Sequence, residues 1–201
     1  MDCEQCGKCA NLAEKNLSLC ERLYTLLVYS ENTPGLLSQI TAIFTRRQVN
    51  IETLNVCASS TPGVHKYTIT CVCTEDMVKM LTAQMEKRID VLQANYYTDD
   101  DLFMLESALM KISTPVMLSN PKVSHVVRMH GGRIFEVNPT YATLEKTGAT
   151  ATVMSLYNQL NELGAVLQFV RSGRICITRS TEERLDNYLA KREQEREEIK
   201  G

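Results

Sequence analysis

What most constrains this chain is a pattern of strand and helix signals that occurs twice, about 80 residues apart. Arg22 to Ser30 (RLYTLLVYS) is an apolar run of strand length, stopped by the turn formers Glu31-Asn32-Thr33-Pro34-Gly35. Leu36, Leu37, Ile40, Ile43 and Phe44 then recur at helical spacing, with Asn32 or Thr33 available as N-cap and Pro34 suited to the first turn. Arg46 and Arg47 close that helix, where its dipole favours cations. Ile51 to Ser59 and Val64 to Cys73 read as strands joined in a hairpin through Thr61-Pro62-Gly63. Met77, Val78, Leu81 and Met85 mark a second helix after Thr74, and Ile89 to Tyr97 a fourth strand. The order is βαββαβ.

The same order returns with Leu102–Ile112 as strand, Pro121–His130 as helix, and Arg133–Val137 with Tyr141–Lys146 as a strand pair. Ala151 to Leu163 supplies the next helix, and Val166 to Thr178 the closing strand, with an interruption expected at Ser172-Gly173. The expected fold is α+β, two tandem ferredoxin-like βαββαβ domains. Asp99-Asp100-Asp101 marks the boundary, because three adjacent carboxylates repel one another and stay solvated. The segments are an extension over 1–20, domains over 21–98 and 99–180, and a charged tail over 181–201 in which Leu185, Tyr188 and Leu189 could dock a helix.

A net charge of −2 and a pI near 6.0 remove the basic footprint that nucleic acid or an anionic membrane would require. No window approaches the roughly 20 continuous apolar residues of a membrane span, and the start, with Asp2, Glu4 and Lys8, has no apolar leader core. A soluble, cytoplasmic chain is expected. Of the eight cysteines, those after Cys20 lie in apolar runs, and alternation puts Cys71 and Cys73 on one strand face, which argues against a standing bridge.

The residues offer little catalytic chemistry. His65, His125 and His130 belong to no zinc-ligand or nucleophile motif, and His130-Gly131-Gly132 reads as a helix stop. There is no Gly-rich phosphate loop, and Arg171-Ser172-Gly173-Arg174 reads as a solvated turn. Cys3, Cys6, Cys9 and Cys20 have a spacing that could supply four thiolates to zinc or an iron–sulfur cluster. Their segment carries few apolar residues to build a shell, so no metal is expected there.

The informative loop is Asn32-Thr33-Pro34-Gly35-Leu36-Leu37, which joins a strand end to a helix N-terminus, a place where free N–H groups and the dipole favour a carboxylate. Gly35 and Leu36 offer N–H groups, and Gly35 allows close approach. Asn50, after the helix, offers an amide oxygen to an ammonium group. Together these suit the zwitterionic end of a free amino acid, although the same loop also fits an ordinary turn.

The stretch LLVYSENTPGLLSQITAIFTRRQVNIETLNV resembles the ACT-domain signature of acetolactate synthase small subunits through Asn32, Gly35, Leu37, Phe44, Arg47 and Asn50-Ile51-Glu52-Thr53-Leu54. The likeness continues through HKYTITC, QMEKRIDVLQANYYTDDD, GRIFEVNPTYATLEKTGA and FVRSGRICITRS, covering roughly residues 22 to 180. Residues 1–20 lie outside it, and the second-domain loop Ser119-Asn120-Pro121-Lys122 lacks the glycine of the first.

The resemblance implies a non-catalytic regulatory subunit that activates a large catalytic subunit and makes it sensitive to valine. It implies a homodimer through the ACT domains, with valine held by Asn32, Gly35 and Leu36 of one subunit and Asn50 and Ile51 of the other. Thiamine diphosphate, magnesium and FAD are expected only on the catalytic partner, and this chain contains no Gly-Asp-Gly metal signature. The alternatives are a free-standing double-ACT regulator of transcription or of another enzyme, and a thiol or metal sensor built on residues 1–20.

Overall fold

A computed structural model describes residues 21–179 and Ala190. Along the chain run β1 (Arg22–Glu31), α1 (Leu36–Arg46), β2 (Ile51–Ala58), β3 (Val64–Cys73), α2 (Glu75–Glu86) and β4 (Val91–Tyr97). A single 3-10 turn (Asp99–Asp101) leads to β5 (Leu102–Ser113), α3 (Thr114–Ser119), α4 (Pro121–Met129), β6 (Arg133–Val137), β7 (Tyr141–Gly148), α5 (Thr150–Glu162) and β8 (Val166–Thr178). One sheet has the order β2-β3-β1-β4 and the other β6-β7-β5-β8, so the two βαββαβ units are ferredoxin-like. One compact unit holds β1–β4 and the other Met104–Cys176, with Leu102–Phe103 and Ile177–Thr178 going with the first.

Period-two patterning sets the first core. Tyr24, Leu26 and Val28 of β1 and Tyr67, Ile69, Cys71 and Cys73 of β3 share one buried cluster with Leu36, Ile40, Ile43 and Phe44 of α1 and Val78, Leu81 and Met85 of α2. In the second unit Ala108, Met110 and Ile112 pack with Leu144, Val123, Val127, Val153, Leu156 and Leu160. Glu106 lies two residues before Ala108 on the same alternation and is buried. Its ion pair is with Arg171 of β8, Nη1 to Oε1 at 3.3 Å.

Several local expectations change. Neither Asn32 nor Thr33 caps α1; Gly35 takes the N-cap position in the left-handed region, φ 85°. Ile89 is not in a strand: β4 begins at Val91, after a turn in which the Val91 N–H donates to the Arg88 carbonyl. The second unit has an extra short helix, α3, capped by Ser113. β8 is not interrupted, although Gly173 has φ 78°, and the Ser172 hydroxyl accepts from the Ser107 N–H at 3.1 Å. Asp99–Asp101 forms its 3-10 turn because the Asp101 carboxylate accepts from both the N–H and the hydroxyl of Thr98, which holds Asp101 below the usual carboxylate range. His130-Gly131-Gly132 stops α4 as expected, with Gly132 N–H bonded to the Val127 carbonyl at 2.8 Å.

Helix α1 ends in the same kind of motif without a glycine. Gln48 N–H donates to Thr45 O and Val49 N–H to Phe44 O, both at 3.1 Å, with Gln48 at φ 55°. A left-handed non-glycine residue costs roughly 1 kcal/mol, so Gln48→Gly is expected to raise the unfolding free energy by about 0.5–1 kcal/mol. Urea denaturation checks this, and an unchanged or lower midpoint would count against the motif as the source of strain.

Candidate ligand site at the ends of helix α1

The loop after β1 is held from both sides. The Asn32 N–H donates to the Gly63 carbonyl at the β2–β3 hairpin (3.0 Å), and the Thr33 N–H to the Glu31 carbonyl (3.0 Å). These bonds, with the left-handed Gly35, turn the chain into α1 without any side-chain cap, and no acidic residue stands in the first turn. The Leu36 N–H, expected to face a ligand, donates instead to the Thr33 carbonyl at 3.3 Å. The N–H groups of Gly35, Leu37 and Ser38 have no acceptor among the described residues. A Cβ built on Gly35 would meet nothing within 4 Å, so approach is open.

The donor set therefore differs from the sequence expectation: Gly35 stays and Leu36 is engaged, whereas Leu37 and Ser38 were missed. Their signal was the helix start itself, since the first turn leaves its N–H groups without carbonyl partners. The bare groups and the positive dipole end can hold a carboxylate. Asn32 is exposed and lines an open depression of about 490 Å³ with Glu31, Thr33, Thr61, Pro62 and Gly63.

Asn50 and Ile51 lie at the other end of the helix. Asn50 is exposed, its Nδ2 donating only a long 3.4 Å contact to Glu52 Oε1, which leaves its amide oxygen free to accept. Ile51 is half-buried and opens β2 opposite Cys71 of β3. Eleven helical residues at about 1.5 Å each separate the two ends by about 16 Å. One chain thus does not bring Asn32, Gly35 and Leu36 together with Asn50 and Ile51. The backbone of a single amino acid is too short to span them.

The second unit differs at the equivalent place. Asn120 caps α4 itself, its Oδ1 accepting from the Lys122 N–H at 3.1 Å, and Pro121 contributes no N–H. No group of three or more metal-ligating side chains gathers among the described residues, and no described helix is long and apolar enough to cross a membrane. Cys3, Cys6, Cys9 and Cys20 lie outside the described residues.

Comparison with known proteins gives a consistent picture. Residues 26–93 match the model of the AHAS small subunit-like ACT domain, and residues 105–180 the model of the small subunit of acetolactate synthase. The acetolactate synthase small subunit of Mycobacterium leprae is 30% identical over 78% of this chain and 91% of its own length. That of Bacillus subtilis is 29% identical over 82% of this chain and 94% of its own. The crystal structure of the acetolactate synthase small subunit from Thermotoga maritima superposes with a TM-score of 0.72 at 23% identity, covering 80% of this chain and 99% of that one, a likeness of fold.

Proposed function

Because the chain belongs to the acetolactate synthase small-subunit family, we propose that it activates a thiamine-diphosphate-dependent catalytic subunit and makes it sensitive to valine. The observation that carries this reading is the bare N-terminus of α1, with free N–H groups at Gly35, Leu37 and Ser38 and open space at Gly35. Those groups receive the carboxylate of valine, and the Asn50 amide oxygen of a second copy accepts from its ammonium group. The separation of the two ends of α1 is the reason a second copy is needed, and the working form is a cytoplasmic homodimer. Thiamine diphosphate, magnesium and FAD belong to the catalytic partner. Feedback of this kind requires about 1–3 kcal/mol of coupling between effector and activity.

Asn50→Ala removes a ligand contact and no core packing, so the expected loss is a charge-assisted hydrogen bond of about 1.5 kcal/mol, roughly tenfold in valine affinity. Stability should stay within about 0.5 kcal/mol, as for other exposed substitutions. The test is acetolactate formation by the catalytic subunit reconstituted with each variant, with and without valine. The proposal expects activation to persist while the valine midpoint rises. Loss of activation and inhibition together would show that Asn50 supports the fold or the catalytic interface instead.

A further inference from the structure

The first core contains a pair of thiols that the ligand site does not use. Cys71 and Cys73 alternate on β3 and point into the cluster under α1 and α2, with their Sγ atoms 3.8 Å apart and hydrogen bonded. Both are free and buried, whereas Cys57 on β2 is exposed. Cys71 sits opposite Tyr24 of β1 and Ile51 of β2, and Cys73 opposite Arg22, the first residue of β1. The shared hydrogen bond holds the Cys73 thiol below its ordinary value and pushes Cys71 up, so Cys73 is the readier nucleophile. Cys73 is buried but is the last residue of β3, where the pairing with β1 ends, so local opening of that end would expose it to small reagents.

We infer that Cys71 and Cys73 form a reversible dithiol–disulfide site that reacts with low-molecular-weight disulfides, and that its closure disturbs the β2 edge at Ile51. The Cys73 thiolate attacks one sulfur of a small disulfide RSSR; the RS–SR bond breaks, Cys73–SR forms, and RS⁻ leaves with the proton Cys73 gave up. Cys71 then attacks the Cys73 sulfur, the Cys73–SR bond breaks, and the second RS⁻ takes the Cys71 proton. Two protein thiols are oxidised and one RSSR is reduced to two RSH.

The alternation that argues against a standing bridge is what makes this one reversible. Strand residues two apart have Cα atoms about 6.6 Å apart, near the upper limit of about 6.8 Å that a disulfide spans. Closure therefore contracts β3 at Cys71, and a bridge strained in this way is readily reduced. The contraction falls on a weak place, since the β2–β3 register already shifts between Ile51 and Thr53. Asn50 immediately precedes Ile51, so the site gives the proposed ligand site a redox input; only this last consequence rests on the functional reading above.

The test treats the full chain with oxidised glutathione and follows the tryptic peptide spanning Tyr67 to Lys79 by mass spectrometry, with amide hydrogen exchange over residues 51–58. The inference expects this peptide to lose two hydrogens and resist alkylation, exchange over 51–58 to quicken several-fold, and dithiothreitol to reverse both. In Cys71→Ser, Cys73 should carry a glutathione adduct with no bridge. Alkylation of both cysteines under conditions that modify Cys57 would overturn the inference. So would a bridge that leaves exchange over 51–58 unchanged.

Discussion

Replacing Arg171 by Leu should lower the unfolding free energy by about 2–4 kcal/mol, because it leaves a buried carboxylate without its counter-ion. Glu106 is 1% exposed and its one ion pair among the described residues is with Arg171, whose side chain is 35% exposed. Water reaches the guanidinium, which favours the lower part of that range. The cost comes from the stranded charge rather than from a strong bond, so the double variant Glu106→Leu with Arg171→Leu should recover most of the loss. Urea denaturation of the two single variants and the double variant decides it. A double variant no more stable than Arg171→Leu alone would show that the damage comes from lost packing.

Gly35→Asp is expected to raise the valine concentration needed for inhibition at least about fivefold while leaving activation of the catalytic subunit in place. A carboxylate there would share the bare N-terminus of α1 with the carboxylate of the ligand. At about 4 Å and an effective dielectric near 20 the repulsion is about 4 kcal/mol, and a quarter of that after screening still weakens binding about fivefold. Aspartate at the left-handed Gly35 costs the fold about 1 kcal/mol, but its Cβ meets nothing within 4 Å, so the domain should remain folded. Reconstituted activity against valine concentration checks this. Unchanged inhibition in a folded variant would reduce the loop to a turn.

Both predictions depend on features that were unevenly legible in the sequence. The run RLYTLLVYS and the spacing of Leu36, Ile40, Ile43 and Phe44 announced β1 and α1, because each element buries one face and the chain shows its period. The cap of α1 was not legible. Asn32 and Thr33 are favoured capping types, but the Gly63 carbonyl, distant in sequence, binds the Asn32 N–H and carries the loop past them to Gly35. Helix α3 was not legible either, because it has six residues and a proline in its first turn. A charge at position 106 in the inward row Met104, Glu106, Ala108, Met110 was a readable sign of a buried partner; that the partner is Arg171, on another strand, was not. At the candidate site the residue types and their order placed Asn32, Gly35 and Leu36 before α1 and Asn50 and Ile51 after it, whereas which first-turn N–H groups stay unbonded was not legible.

That separation permits a complementation experiment on mixed dimers. Gly35→Asp and Asn50→Ala chains, each with a raised valine midpoint as homodimers, are unfolded together and refolded with the catalytic subunit present. In a mixed dimer one site joins the intact Gly35 loop of the Asn50→Ala chain to the intact Asn50 of the other. A component of valine inhibition at the wild-type midpoint, absent from either parent, is expected to appear in the mixture with reduced amplitude. A mixture that shows only the raised midpoints of its parents, with activation intact, would rule out a site shared between two copies.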